Sequence, residues 1–310
     1  MNTICQRLNL DYPIIQGGMA NIADHRLAAA VANAGGLGVI GSGSWDAETV
    51  RNEIRLCRQM TNKPFAVNIV LLNPHAKDIA QVVVEEHVFA VTTGAGNPGQ
   101  YLPMWKEAGI IVIPVIASTA QAKRLEKAGA DMVIAEGTEA GGHIGELTTM
   151  CLVPQVVDAV EIPVIAAGGI ADARGVRAAF ALGAQGVQCG TLFLTSEECP
   201  IHSNYKQMII EAKDIDTIVT GRHAGSPVRV LKNQMARTYV RLSEQGVDRE
   251  TLEKMTLGSL RKAVIDGDLE HGSFMAGQSA GLIHEIRPVQ EIIASLFASI
   301  PLDDPRLHAR

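Results

Sequence analysis

The sequence predicts an α/β fold, a (β/α)8 TIM barrel with a small helical insertion after the eighth strand. Three observations carry this. Short apolar runs recur along the first two thirds of the chain, and they are continuously apolar rather than alternating, the pattern of parallel strands buried on both faces. A glycine-bearing turn and an amphipathic segment follow them in a repeating unit. The amphipathic segments end in stops that rhyme: Asn33-Ala-Gly-Gly36, Glu107-Ala-Gly-Ile110, Lys127-Ala-Gly-Ala130 and Leu182-Gly-Ala-Gln185. The repeat gives eight strands, at residues 13–16, 37–40, 65–69, 88–92, 110–115, 132–135, 164–167 and 186–189. Eight suits a closed barrel better than an open doubly wound sheet of about five or six strands, which is the structural alternative.

Each helix has its own reason to start and stop. Asp24 caps one that ends at Gly35-Gly36, Ser118 caps one ending at Gly129, and Asp172 caps one ending at Gly183. After the eighth strand the alternation ceases. Residues 196–274 read as helical, without clear strands, and are expected to form an inserted substrate lid; residues 1–195 and 275–310 make the barrel. A final helix is expected around 288–298, and the polar tail 301–310 is expected to fray.

Composition limits the function. Of 310 residues, 47% are hydrophobic and 19% charged, which excludes a disordered chain. The net charge is −6 and aromatics are 4%, the reverse of what a duplex binder or a single-strand stacking platform needs, so no nucleic-acid partner is expected. The N-terminal stretch has no basic start and apolar core of signal-peptide type, and no apolar run reaches the roughly eighteen residues of a membrane span. The five cysteines, Cys5, Cys57, Cys151, Cys189 and Cys199, are scattered without metal-ligand spacing, as reduced thiols in a cytoplasm would be. No metal site is expected.

In such a barrel the chemistry lies where strands end. Gly168-Gly169 follows the seventh strand, and Gln188-Cys189-Gly190-Thr191 ends the eighth. Taken singly, these glycines make tight turns and nothing more. Paired at the two strands that carry this fold's usual phosphate site, Gly168, Gly169, Gly190 and Thr191 are read as holding a phosphomonoester with bare backbone N–H groups. No G-x-G-x-x-G follows the first strand and no Walker lysine motif exists, so neither a Rossmann nor a P-loop site is supported. Asn68 and Gln16, also at strand ends, offer hydrogen bonds to a heterocycle across the barrel mouth, and FMN matches that length and polarity. His143 is the candidate for proton transfer: it stands in a glycine-rich loop after the sixth strand, and imidazole titrates near neutral pH. His25, His75, His271 and His308 are read as ordinary surface histidines. Cys189 is read as a small core residue rather than a nucleophile, since no basic partner adjoins it.

One further feature stands out. Residues 217–243 contain no Asp or Glu but hold Arg222, Arg229, Lys232, Arg237 and Arg241. At i+4 spacing, Arg229, Asn233, Arg237 and Arg241 would share one helix face, with Leu231, Met235 and Tyr239 as the opposing apolar stripe. This is either a solvated face or an anion-recruiting surface.

The strand-end strings Tyr12-Pro-Ile-Ile-Gln-Gly-Gly-Met19, Thr92-Thr-Gly-Ala-Gly-Asn-Pro98, Glu139-Ala-Gly-Gly-His143 and Ile165-Ala-Ala-Gly-Gly-Ile170 resemble the superfamily of FMN-dependent nitronate monooxygenases (2-nitropropane dioxygenase-like) and enoyl-acyl-carrier-protein reductases II. The longer strings from Glu139 to Thr149, Arg229 to Gln234 and Gly272 to Leu282 resemble the reductase branch, as does Ile144 where nitronate monooxygenases often carry Arg. The resemblance implies non-covalent FMN, NADH or NADPH as hydride source, and reduction of trans-2-enoyl thioesters on acyl carrier protein, in the last step of the fatty-acid elongation cycle. It implies Gly17, Gly18 and Met19 beside the flavin, Asn68 on the isoalloxazine, Glu136 and Gly142 near it, and Gln188 by the phosphate. Gln278 would also face the flavin. His143 would be proton donor or thioester polariser, and the basic face would recruit the acidic carrier protein. A homodimer and a response to monovalent cations are further implications. A nitronate monooxygenase using the same FMN and His143, or a barrel for another phosphorylated metabolite, are the alternatives.

Overall fold

In the computed structural model, which describes residues 2–301, the apolar runs form a single eight-stranded sheet. In chain order the strands are β1 (Ile14–Gln16), β2 (Gly38–Gly41), β3 (Phe65–Val70), β4 (Ala90–Gly94), β5 (Ile111–Ile116), β6 (Val133–Glu136), β7 (Gly142–His143), β8 (Val164–Ala167), β9 (Gly186–Cys189), β10 (Thr217–Thr220) and β11 (Val228–Leu231). The barrel runs β1-β9-β8-β6-β5-β4-β3-β2, all parallel. Its edges meet: Ile15 bridges Leu37, with the Leu37 N–H donating to Ile14 O at 2.9 Å and the Gln16 N–H to Leu37 O at 3.0 Å. That closure makes it a (β/α)8 TIM barrel.

The helix signals act as the sequence implied. The Asp24 carboxylate accepts from the N–H groups of Arg26 and Leu27, Ser118 Oγ from Gln121 N–H, and Asp172 from Arg174 and Gly175 N–H. Gly35, Gly129 and Gly183 stop those helices with φ of +88°, +98° and +92°, a region that glycine enters without Cβ strain. The helix Val289–Phe297 closes the outer ring, and Phe297 stacks on Tyr12 with ring centroids 5.3 Å apart. The expected fraying lies outside the described residues from 302 onward.

Alternation along the strands builds the site. Ile15, Val39, Ala66, Ala90, Ile113, Ile134 and Ile165 belong to one buried cluster inside the barrel, closed below by Ile4 and Leu8 of the helix Thr3–Leu8. Side chains two residues apart share a face of a strand. The next inward layer is therefore Gly17, Gly41, Asn68, Thr92, Val115, Glu136 and Ala167, which exchanges hydrocarbon for polar groups at the C-terminal mouth.

The insertion departs from the expectation of helix alone. Helices Ser203–Ile210, Gln234–Glu244 and Arg249–Thr256 are joined by an antiparallel hairpin of β10 and β11, and β11 pairs with β7. Hydrogen bonding to β7 stabilises the extended form of residues 228–231, whose Val-Arg-Val-Leu sequence also satisfied a helical spacing. Arg229 is thus a strand residue, Asn233 is the cap of the helix Gln234–Glu244, and Leu231 belongs to β11 rather than to the apolar stripe of Met235 and Tyr239. Among the described residues no helix is long and apolar enough to cross a membrane.

Candidate active site

The mouth of the barrel is a cavity of about 520 Å³ lined by Gly17, Gly18, Met19, Asn68, Glu136, Gly142, His143, Gly168, Gly169, Gln188, Gly190 and Thr191, together with other strand-end residues. That volume lies within the roughly 300–1,000 Å³ of small-molecule sites. Glycine at two of these positions is required by space and backbone. A Cβ on Gly18 would lie 2.2 Å from Asn68 Cβ. Gly168 has φ +95°, and a Cβ there would approach Gly137 O at 2.9 Å. Gly190 differs: a Cβ on it would meet only the Met19 side chain, at 3.7 Å and beyond, so its backbone is bare to the cavity.

The polar floor is held from behind. Asn68 Nδ2 donates to Thr92 Oγ1 at 2.9 Å, which orients the amide and leaves Oδ1 to accept. Glu136 has no charged neighbour acting on it, and burial alone pushes its carboxyl up to about 7. Bare glycine backbone at one end and convergent amide and carboxyl groups at the other fit a phosphorylated flavin. Gln16 does not contribute: it is fully buried, its Oε1 accepts from Val39 N–H at 3.0 Å and its amide donates to Gly17 O, so it fastens β1 to β2. Cys189 is a core residue, as read from the sequence; its buried thiol is pushed up to about 12.

His143 is exposed at the cavity mouth, while partial desolvation by the surrounding protein disfavours the imidazolium and lowers its pKa. It also lines a second chamber of about 890 Å³, which shares Ile22 and Met275 with the first. Trp45 comes to this chamber from the barrel loops, and Tyr239, Leu260 and Val264 from the insertion. Its arginines are already paired: Arg26 with Asp24 at 2.7 Å, Arg249 with Glu253 at 2.5 Å, and Arg261 with Asp266 at 3.9 Å.

Gln278 is exposed, its N–H donates to Glu139 O at 2.9 Å, and the turn Gln278–Leu282 directs Ser279 to the cavity wall. One sequence expectation is corrected here. The basic face does not exist as one surface. Arg229 is buried, Arg222 pairs with Glu146 at 2.8 Å, Lys232 donates to Ile215 O, and only Arg237 and Arg241 stand exposed on the helix Gln234–Glu244. Thr191 lines the cavity and also accepts from Gly277 N–H at 2.9 Å, tying the returning segment to the barrel. Sequence reading missed Ile22, Met275 and Ser279; apolar or small residues in loops carry no chemical signal of their own. His25, read as a plain surface residue, is half-buried and paired with Glu53 at 2.7 Å; His308 lies outside the described residues.

Fold and site together define a TIM barrel whose candidate site is a glycine-rich cavity at the C-terminal rim, with His143 at its mouth. A family model described as nitronate monooxygenase matches residues 2–299. The chain belongs to the nitronate monooxygenase family of oxidoreductases. A probable nitronate monooxygenase of Staphylococcus saprophyticus is 36% identical to it over 90% of this chain and 92% of that protein. A namesake from Staphylococcus aureus is 34% identical over 96% and 97% of the two chains. Among solved structures, FabK from Thermotoga maritima is 52% identical, covering 96% of this chain and 95% of its own, with a TM-score of 0.94. A nitroalkane oxidase from Streptomyces ansochromogenes is 27% identical over 94% and 96%, with a TM-score of 0.83.

Proposed function

We propose that this protein is an FMN-dependent reductase of trans-2-enoyl thioesters, carried on acyl carrier protein, with NADH or NADPH as hydride source. The observation that carries this reading is the 52% identity to FabK, an enoyl-acyl-carrier-protein reductase II, over almost the whole of both chains. The second chamber supports it: an elongated acyl thioester meeting His143 has about 890 Å³ to occupy, volume a small nitroalkane does not need.

In this reading Gly168, Gly169, Gly190 and Thr191 hold the phosphate of FMN with Gln188 nearby, Asn68 hydrogen-bonds its ring system, and Gly17, Gly18, Met19, Glu136 and Gly142 lie beside it. Bound there, FMN supplies the hydride transfer from nicotinamide to Cβ of the enoyl thioester. The chain's own task is polar. The His143 N–H polarises the thioester oxygen, and the imidazolium form delivers the proton to Cα. A depressed pKa makes that imidazolium a stronger acid and confines it to lower pH. Ile22 and Met275, shared by the two chambers, shield the reacting carbons from water.

A second reading, oxidation of alkyl nitronates, is favoured by the family description and by the names of the Staphylococcus relatives. Anaerobic stopped-flow separates the two. The reductase bleaches rapidly with a reduced nicotinamide and recovers its colour with a crotonyl thioester. A monooxygenase bleaches with an alkyl nitronate and has little need of nicotinamide. The pH profiles also point opposite ways. With His143 as acid, kcat/KM falls as pH rises past its depressed pKa; with His143 as base, kcat/KM falls as pH drops below it.

A further inference from the structure

We infer that Arg229 is a positioning residue: from the insertion it clamps the Thr138 carbonyl and thereby holds in place the loop that carries His143. Arg229 is 7% exposed. Its Nε and one terminal nitrogen donate to Thr138 O at 3.1 and 3.0 Å, and the other terminal nitrogen donates to Thr217 Oγ1 at 3.1 Å. Ninety-one positions separate Arg229 from Thr138, so this contact joins the insertion to the loop that follows β6.

The charge makes the arrangement informative. Among the described residues no carboxylate forms an ion pair with Arg229. Glu139, whose charge acts on it from a distance, already accepts from Thr149 N–H at 2.9 Å and from Thr149 Oγ1 at 3.0 Å. Burying a cation against carbonyl and hydroxyl oxygens alone is costly, and a hydrocarbon side chain would avoid that cost if the site only needed filling. A planar fork, however, can direct two N–H groups onto one carbonyl and a third onto a hydroxyl, which a lysine ammonium cannot.

What the fork fixes is close to the histidine. Arg229 stands opposite Gly142 and Val228 opposite His143 in the β11–β7 pairing, and the Ile144 N–H donates to Pro227 O at 3.1 Å. On the other side the loop is pressed against the returning segment, where a Cβ on Gly141 would lie 2.7 Å from Gly277 N. The Gln278 N–H holds Glu139 O there. The loop is thus gripped between the barrel's own return and the insertion, and Arg229 is the side chain that supplies the second grip.

The inference rests on His143 being the working histidine, and the test reads that histidine directly as well as through turnover. In Arg229→Lys, which keeps the charge and loses the fork, we expect kcat to fall about ten- to a hundredfold with little change in KM, since misplacement of about 1 Å costs up to 10²-fold. FMN content should be unchanged. The His143 ring, followed by ¹H–¹³C NMR of the holoenzyme, should titrate closer to 6.5 than in the parent as water enters the loosened loop. In a His143→Ala background, Arg229→Lys should cost less than about twofold more. Thr217→Val, which removes only the third hydrogen bond, should move the histidine titration in the same direction by less, and it serves if the lysine variant does not fold. A histidine titration unmoved in both variants overturns the inference, as does an Arg229→Lys loss of equal size with and without His143. A parent with no enoyl thioester turnover would instead undo the functional reading, and the histidine titration would still decide the clamp.

Discussion

The barrel floor and the insertion are built on opposite principles. Every residue of β1, β2, β8 and β9 is buried, and each of these strands is flanked by parallel neighbours that keep its register. In β10 only Thr220 is buried, and the small sheet reaches the barrel through the two residues of β7. A strand locked on both sides and both faces tolerates little movement, whereas a hairpin held at one edge depends on a few side-chain contacts. In the proposed reading, the groups assigned to the cofactor therefore ride on the rigid part and His143, the proposed proton donor, on the part that can be loosened. Changes in the floor should alter ligand binding and the empty protein's stability; changes around His143 should alter turnover and leave the flavin in place.

The largest effect falls on the histidine. His143→Ala should lower thioester turnover about 10²- to 10⁴-fold, the usual contribution of a positioned acid. Nicotinamide-driven bleaching should continue at the parent rate, because that half-reaction needs only the floor. Loss of FMN from the purified variant, read by its absorbance, would break the division between the two regions.

The floor is probed by its carboxyl. Burial raises the Glu136 pKa from 4.5 to about 7, so the folded chain favours the neutral acid. That contribution is complete below pH 4.5 and is lost as pH rises through 7, where the ionised carboxylate is held in the cavity at a cost of up to about 3 kcal/mol. Glu136→Gln carries no such charge. The flavin-free variant should be more stable than the flavin-free parent at pH 8, and the two should converge near pH 4.5. Thermal or urea unfolding at the two pH values measures this. An advantage for the variant that stays constant with pH would mean that Glu136 is solvated.

The same contrast explains what could be read from the sequence. Barrel strands are legible because burial on both faces makes them uniformly apolar, and the caps Asp24, Ser118 and Asp172 are local signals read without tertiary knowledge. The polar floor follows too, since Asn68 and Glu136 are simply two positions beyond inward-facing Ala66 and Ile134. The hairpin was not legible. Arg229 looks like a surface residue in a list of charges, and only pairing with β7 turns it inward. Ser279 was hidden for a related reason: a one-residue rotation in a 3₁₀ turn decides which side chain meets the cavity, and no periodicity fixes such a turn. The second chamber was invisible because its walls come from loops and helices far apart in sequence.

The smallest effect concerns what remains of the basic face. With Arg229 inside, Arg237 and Arg241 are one helical turn apart and exposed on the helix Gln234–Glu244, in an otherwise acidic chain. Isolated surface charges contribute little to affinity, and they act mainly on encounter with a partner of opposite sign. Reversing both to Glu should therefore raise the KM for an enoyl acyl-carrier-protein only about two- to tenfold and flatten its salt dependence. The neutral N-acetylcysteamine thioester of the same acyl group meets no such field, so its KM should be unchanged. Equal changes for both substrates would place the effect in the insertion's fold, while no change in either would make this helix face a solvated surface and nothing more.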